Sequence, residues 1–437
     1  MIFNKSQLKN ISKIVQRDFI SIIVILITSI ILTRNLGIKL YGEYLLIILI
    51  PTTAEIFLRL KFDYSSVYLI SKKIISASEM FFFQMLYAVL ITFLFFFILI
   101  IFQYFEMSHF FSINISLKIF FLIVILFFMR ILFINFSYLF IQQSDYKIYN
   151  FIIVFNSLFN LFFLLFLFNF DVSIFNAILS SVISLSLINL FSFIRLLLKI
   201  KIKLFFSFIK YKEIFYFSIK HYFVGLIEFI FSNSHQYIIS FNYNPSILAS
   251  FNLSKMIADM SCKPLNAGFS NVFYSELSKN VGKKDGRIFL LSIKILFIFL
   301  ILIYLTLLIF VDDIVNLLYG KEFKTVSHYF SFIMPSSILI SLSTIFYSYF
   351  SSKGLQRIFL KGIFISLIFY LIIFFTFKNI MDEKALFLSI TFSSAYLLCF
   401  LIKNFLKLNN FGISSLIISN HEIKLLKLIS YRYVFKK

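Results

Sequence analysis

The sequence predicts an all-α, polytopic membrane protein with about twelve transmembrane helices, in two pseudo-symmetric six-helix bundles around a central cavity. Of its 437 residues, 61% are hydrophobic, and 66 Phe stand beside 10 Gly and no Trp. Ordinary soluble domains do not have this composition. Long apolar stretches recur along the whole chain, and Lys and Arg concentrate in every second connection between them. Together these observations indicate a multi-pass membrane protein.

Twelve stretches come close to the roughly 20 apolar residues that a helix needs to cross a bilayer. In chain order they are residues 14–33, 41–60, 80–102, 113–134, 150–169, 174–197, 214–239, 246–274, 288–311, 326–349, 358–377 and 384–406. Each is therefore predicted to be one transmembrane helix. The region after residue 407 is basic and only intermittently apolar, so we expect it to lie at the membrane surface.

Basic residues give the expected orientation of these helices. The N-terminus, the even-numbered connections and the C-terminal tail together contain 29 Lys and Arg, whereas the odd-numbered connections contain 7. Because basic loops stay on the cytoplasmic side, both termini are expected in the cytoplasm. The net charge of +22 is then explained by topology and by contacts with anionic membrane lipids. Nucleic acid is not an expected partner.

The longest basic connection, residues 199–212, divides the chain into near-equal halves. We therefore expect an N-terminal six-helix bundle at 1–205, a C-terminal six-helix bundle at 206–407 and a basic cytoplasmic tail at 408–437. A weak repeat supports this division, because a shift of 207 residues carries Ser71-Lys72 onto Ser278-Lys279. Two related bundles with a site between them are typical of transporters that work by alternating access.

The eighth stretch carries a polar stripe. At about 100° per residue, one helical face collects Lys255, Asp259, Cys262, Lys263 and Asn266. Because each buried charge costs at least a few kcal/mol in a bilayer, this face is expected to line the central cavity. Lys255 and Lys263 are the candidates for binding an anion, and Asp259 is a candidate for pairing or ion coupling. The alternative is a set of ion pairs that only fixes helix packing.

The seventh stretch carries a second polar stripe. Its members recur at helical spacing and are Ser218, His221, Gly225, Glu228, Ser232 and His235. A rise of about 1.5 Å per residue places Glu228 at the depth of Asp259, and His235 at the depth of Lys255. Glu228, His221 and His235 are therefore candidates for proton coupling or for pairing, since burial moves the pKa of carboxyl and imidazole groups. A buried neutral histidine with satisfied hydrogen bonds is the alternative.

Three further features complete the expected site. Glu55 and Arg59 lie four residues apart in the second stretch, so we expect an intrahelical ion pair. Arg59 then either joins a cationic cavity or reaches the membrane surface, and Lys220 joins the cavity from the inner end of the seventh stretch. Pro51 and Pro264 each remove a backbone hydrogen bond inside a helix, so they are expected to act as hinges or as static kinks.

Enzyme chemistry is not expected. The sequence contains no phosphate-binding loop, zinc motif or nucleophile triad. Its two cysteines, Cys262 and Cys399, lack metal-ligand spacing. We therefore expect no metal and no cofactor, and leave coupling to H⁺ or Na⁺ open.

One stretch resembles a family signature. Residues Arg34-Asn35-Leu36-Gly37-Ile38-Lys39-Leu40-Tyr41-Gly42-Glu43-Tyr44 are similar to the Arg-x-Leu-Gly…Tyr-Gly-x-Tyr pattern that follows the first span of bacterial polysaccharide flippases. These are the Wzx-type O-antigen and capsule-unit exporters of the multidrug/oligosaccharidyl-lipid/polysaccharide (MOP) superfamily. The end of the eighth stretch, Phe273 to Ser278, resembles their corresponding helix. The chain departs from the pattern at Phe251, where the family often has Tyr, and at His235-Gln236, a region often carrying Asn and Asp.

The resemblance implies export of an undecaprenyl-diphosphate-linked oligosaccharide from the cytoplasmic to the periplasmic leaflet of the bacterial inner membrane. A cationic cavity would receive the diphosphate, for O-antigen, lipopolysaccharide or capsule assembly, with polysaccharide polymerase machinery as a further partner. The alternatives are a multidrug or cation antiporter of the same superfamily and a membrane-embedded glycan polymerase. Lysines in the cavity disfavour the antiporter, and short outer connections disfavour the polymerase.

Overall fold

The computed structural model describes residues 5–62, 69–70, 75–104, 116–143, 145–200, 208–277, 283–381 and 383–416. Over these ranges the chain forms helices joined by short connections, and they contain no β-strand. Several residues named above lie outside them, including Ser71-Lys72, Ser278-Lys279 and most of the predicted basic tail. Lys220 and His221 lie in a described helix, but their side chains fall outside the described part.

Within the described residues, twelve long helices follow one another. The first helical run, Lys5–Leu58, is broken at Gly37, whose φ of 72° and ψ of 171° are not helical. It therefore consists of α1 (5–36) and α2 (38–58). The others are α3 (Ala77–Tyr104), α4 (Leu117–Gln142), α5 (Tyr146–Phe168), α6 (Ile174–Lys199), α7 (Phe208–Asn242), α8 (Pro245–Leu277), α9 (Lys283–Leu318), α10 (Thr325–Ser352), α11 (Gln356–Met381) and α12 (Glu383–Asn409).

The predicted fold class is confirmed, and each predicted span coincides with one of these helices. Most helices extend a few residues past the apolar stretch, because the backbone stays hydrogen-bonded beyond the hydrocarbon layer. Nine described stretches are long and apolar enough to cross a membrane, and the first of them combines α1 and α2. The polar helices α7 and α8 are not among them.

Backbone contacts divide the chain into two compact units. The N-terminal unit comprises residues 16–252 and 315–325. The C-terminal unit comprises 253–314, the described residues from 326 onward and the start of α1. By these contacts α7 belongs with α1 to α6. The division into two six-helix bundles at residues 205 and 206 stays a prediction.

In the N-terminal unit, α4 packs against α3, α5 and α6. Its core is aromatic: Phe127, Phe136 and Phe140 are almost fully buried. Other faces of the same helices expose large apolar side chains, as at Phe93 of α3 and Phe162 of α5, each 60% exposed. Apolar side chains exposed along whole helix faces suit contact with lipid and not with water.

In the C-terminal unit, an aromatic cluster joins three helices. The ring centroid of Phe289 in α9 lies 4.5 Å from the ring centroid of Tyr349 in α10 and 5.2 Å from that of Phe405 in α12. The Tyr349 hydroxyl donates a hydrogen bond of 2.9 Å to Asn409 Oδ1 at the end of α12. Helix α11 packs along α12. These contacts hold α10, which faces the polar side of α8, in place.

The signature stretch at the α1–α2 junction makes packing contacts within the N-terminal unit. The Arg34 guanidinium donates hydrogen bonds to the carbonyl oxygens of Leu317 and Leu318, where a cation also complements the negative end of the α9 dipole. Gly37 supplies a backbone conformation essentially restricted to glycine. At Gly42, a Cβ atom would overlap the backbone carbonyl of Pro245. The signature residues therefore bring α1 and α2 against the end of α9 and the start of α8.

The close approach at Gly42 generates a prediction. An Ala for Gly exchange inside a helix normally stabilises it by about 0.5–1 kcal/mol. Gly42→Ala is expected to lower the melting temperature instead, because the obstructing atoms belong to the backbone of α8. Gly225→Ala is the matched control, since the atoms near Gly225 belong to the flexible end of the Lys61 side chain. A rise in the melting temperature of purified Gly42→Ala protein would contradict this packing.

Candidate functional site

The polar face of α8 meets α10 within the C-terminal unit. The Asp259 carboxylate accepts a hydrogen bond of 3.3 Å from the Ser337 hydroxyl of α10. Two turns further along, Asn266 Nδ2 donates to the Thr344 hydroxyl of the same helix. Because a turn of an α-helix takes 3.6 residues, contacts at this interval place the predicted stripe along one face.

Asp259 also forms an ion pair within α8. Its Oδ2 lies 3.6 Å from the Lys263 ammonium nitrogen. The Lys263 side chain is 67% exposed, whereas that of Asp259 is 29% exposed. The carboxylate thus contacts α10, and the lysine is the more exposed partner. Lys255, one turn before Asp259, is half-buried.

The two intrahelical prolines leave their helices continuous. Helix α8 runs through Pro264, next to Lys263, and α2 runs through Pro51, one turn before Glu55. Each proline frees one backbone carbonyl on the preceding turn. Their role as hinges stays a prediction.

A buried charge cluster lies on α2 in the N-terminal unit. Glu55 Oε1 is 3.5 Å from a guanidinium nitrogen of Arg59, which is the expected intrahelical pair. Its other oxygen, Oε2, accepts a hydrogen bond of 2.8 Å from Arg130 Nε of α4. The Arg59 side chain is 10% exposed and therefore lies inside the unit. One carboxylate thus contacts two guanidinium groups.

Helix α7 presents Glu228 on its exposed side. The ammonium end of Lys61 covers Gly225, one turn before Glu228, and its charge acts on that carboxylate. In the sequence, Lys61 lies just after the second predicted span, in an even-numbered connection, and nothing there indicates this contact with α7. Leu60 and Lys61 both have φ of 53°, so the chain turns sharply at the end of α2. Neither residue is a Gly or Asn that would have indicated the turn.

The positions that depart from the family pattern contact one another. His235 of α7 is buried, and its ring centroid lies 4.8 Å from the ring centroid of Phe251 in α8. The adjacent Gln236 Nε2 donates a hydrogen bond of 2.9 Å to Asn252 Oδ1. The His235 ring therefore packs against a buried aromatic side chain of α8, and its proton-coupling role stays a prediction.

A polar network between α5 and α6 was not foreseen. Ser180 and Ser181 both donate to Asn160 Oδ1, at 3.0 and 3.2 Å, and Ser184 donates to Asn156 Oδ1 at 3.4 Å. The signal was present as polar pairs four residues apart on each helix. Such pairs in apolar stretches more often satisfy backbone carbonyls than each other, so their spacing did not indicate this pairing.

At the end of α6 an ion pair joins two helix termini. Asp145, the N-cap of α5, accepts a hydrogen bond from the Ile148 amide and one of 2.8 Å from the Lys199 ammonium. The bond from Lys199 holds the pKa of the Asp145 carboxyl below its ordinary value.

Within the ranges that the structure describes, no group of three or more His, Cys, Asp or Glu could hold a metal ion. The expectation of no cofactor, like that of H⁺ or Na⁺ coupling, stays a prediction.

Comparisons with known proteins agree with this architecture. The profile of a family described as polysaccharide biosynthesis protein matches residues 31–328, more than half of the chain. No match was found among the curated proteins.

Solved structures of transporters share the fold. The lipid II flippase MurJ in an inward closed conformation superposes with a TM-score of 0.71 at 15% identity, covering 96% of this chain and 92% of that one. An inward-facing multidrug resistance MATE family transporter of the MOP superfamily gives 0.69 at 14% identity, covering 89% and 99%. A MOP superfamily transporter from Pyrococcus furiosus gives 0.61 at 15% identity, covering 94% and 96%. At these identities the similarity shows the fold alone.

The two charge clusters are expected to differ in their contribution to stability. Glu55→Gln removes the buried carboxylate that contacts both Arg59 and Arg130, which should cost about 3–5 kcal/mol. Asp259→Asn disrupts a largely exposed pair and should cost less than about 1 kcal/mol. Thermal unfolding of the purified variants in detergent, followed by circular dichroism, measures the difference. Equal losses in melting temperature would contradict the prediction that the more buried cluster contributes more to stability.

Proposed function

The chain belongs to the polysaccharide biosynthesis protein family, and from this premise we propose that it moves a lipid-linked oligosaccharide across the bacterial inner membrane. The cargo would be an undecaprenyl-diphosphate-linked repeat unit, taken from the cytoplasmic to the periplasmic leaflet for O-antigen or capsule assembly. Both termini would lie in the cytoplasm, as the distribution of basic residues predicts. The membrane-spanning helices and the MOP transporter fold support this proposal.

One observation carries the proposal: an exposed lysine on a helix among transmembrane segments. Lys263 presents its ammonium group on the same face of α8 as Lys255, with Asp259 between them. Two cations and one anion leave a net positive charge on this face. A diphosphate carries the complementary charge, and lysine binds it as a mobile point charge that releases more readily than a bidentate guanidinium. The expected roles of Arg59 and Lys220 in a cationic cavity stay predictions.

A multidrug or cation antiporter is the less favoured function. A cationic drug needs acidic and aromatic side chains at its site, and the α8 face is basic instead. A membrane-embedded glycan polymerase is also disfavoured, because the similar structures reported above are transporters and a flippase. Transport would proceed by alternating access, with Pro51 and Pro264 as hinges.

Ion coupling is proposed to involve Asp259, which is half-buried, and Glu228, which is exposed. Glu55 is committed to two arginines, so it is a poor carrier of a proton or a Na⁺ ion. Asp259 and Glu228 are accessible, and each has a lysine nearby that would compensate its charge when the ion leaves. His221 and His235 remain secondary candidates.

The cationic face is tested by removing both lysines. Lys255→Ala/Lys263→Ala is expected to abolish complementation in a strain that lacks its repeat-unit flippase, because the diphosphate loses its counter-charges. The readout is the leaflet in which the lipid-linked glycan accumulates. Lys361→Ala/Lys407→Ala is the matched control, since it removes two exposed lysines of the C-terminal unit. Normal export by Lys255→Ala/Lys263→Ala at wild-type expression would refute the assignment of the site.

Coupling is tested by collapsing the ion gradients one at a time. If Asp259 and Glu228 carry protons, a protonophore should stop export in intact cells while a sodium ionophore leaves it unchanged. The converse result would assign the coupling to Na⁺. Export that continues at an unchanged rate under both treatments would remove both carboxylates as carriers.

A further inference from the structure

We propose that Asp259 is an internal counterion, which holds Lys263 in the empty transporter and is displaced from it by the cargo diphosphate. The inference rests on the proposed function and assigns a regulatory role to an acidic residue within the binding face. In this role Asp259 weakens binding of the cargo and promotes its release. It is a positioning residue and does not itself touch the diphosphate.

The geometry of the pair supports exchange. The distance of 3.6 Å between Asp259 Oδ2 and Lys263 Nζ is long for a charge-assisted hydrogen bond. Lys263 is mostly exposed, and an exposed i, i+4 pair contributes little free energy. A diphosphate, with more negative charge and several acceptor oxygens, therefore competes well with a single carboxylate. The lysine has a flexible four-carbon side chain with which to change partner.

The Asp259 carboxylate keeps other polar neighbours when Lys263 moves away. Ser337 donates to Asp259 Oδ1, whereas the contact with Lys263 is through Oδ2, so the serine bond can persist after Lys263 turns away. Lys255 precedes Asp259 by four residues, as Lys263 follows it by four. Residues at this spacing are neighbours on a helix surface, so one cation stays beside Asp259 throughout. Neither state leaves an isolated charge on α8, which membrane burial would penalise heavily.

A second acid-before-base pair, in the N-terminal unit, shows what makes exchange possible. Glu55 and Arg59 of α2 have the same i, i+4 spacing as Asp259 and Lys263 of α8. There the carboxylate is buried and held by a second guanidinium from Arg130. A buried pair of this kind is costly to break. The same local pattern is therefore permanent on α2 and exchangeable on α8.

The test measures binding of inorganic pyrophosphate to the full-length protein in lipid nanodiscs, by isothermal titration calorimetry. Asp259→Asn removes the competing charge, so it should bind pyrophosphate about two- to five-fold more tightly than the wild type. Asp313→Asn is the matched control for net charge, because Asp313 is an exposed carboxylate of α9, and its affinity should stay at the wild-type value. In a Lys263→Gln background, Asp259→Asn should give no gain.

The outcomes separate this inference from the proposed function. Binding that depends on Lys263 but is unchanged in Asp259→Asn would overturn the counterion role and leave the cationic site intact. Pyrophosphate binding that is indifferent to Lys263→Gln would overturn the site itself. Asp259→Ser is the second variant if Asp259→Asn does not fold, and it should show the same gain. An equal gain in pyrophosphate affinity in Asp313→Asn would show that the effect comes from net charge alone. That result would also overturn the inference.

Discussion

Charge inside a membrane needs a compensating charge, and the candidate site follows from the two ways in which this chain provides one. A buried charge costs several kcal/mol unless it is paired. On α2, Glu55 is shared by Arg59 and Arg130, and all three groups belong to the packed N-terminal unit. On α8, Asp259 pairs with a lysine that is mostly exposed. The difference in burial makes the first cluster part of the fold and leaves the second free to change partners.

The family signature and the site have separate physical origins. Arg34 binds carbonyl oxygens at the end of α9, Gly37 breaks the helical run, and Gly42 admits the backbone of Pro245. Gly37 and Gly42 carry no side chain, and the Arg34 guanidinium donates to main-chain carbonyl oxygens. These residues bring together the starts of α2 and α8 and the end of α9. The signature residues thus serve the packing of these helices, whereas the proposed binding of an anionic cargo is assigned to the charges on α8.

The sequence predicted the twelve helices because the length of an apolar stretch is a local property set by bilayer thickness. It also predicted the Glu55–Arg59 pair and the polar face of α8, which follow from helical spacing alone. It missed the contact of Lys61 with α7 and the second arginine on Glu55, since both join residues far apart in the chain. The serine–asparagine hydrogen bonds between α5 and α6 were not predicted for the same reason. Spacing predicts which side of a helix is polar, but the partner across the interface depends on tertiary packing.

Family membership, a transporter fold and a basic polar face on α8 support the proposed movement of an anionic lipid-linked glycan. The most direct measurement uses the purified chain in proteoliposomes that contain an undecaprenyl-diphosphate-linked oligosaccharide in one leaflet. Lectin accessibility then reports the appearance of the glycan in the other leaflet. We expect transfer that requires the protein and that inorganic pyrophosphate inhibits. Absence of transfer, together with uptake of a cationic drug by the same vesicles, would contradict the proposed function.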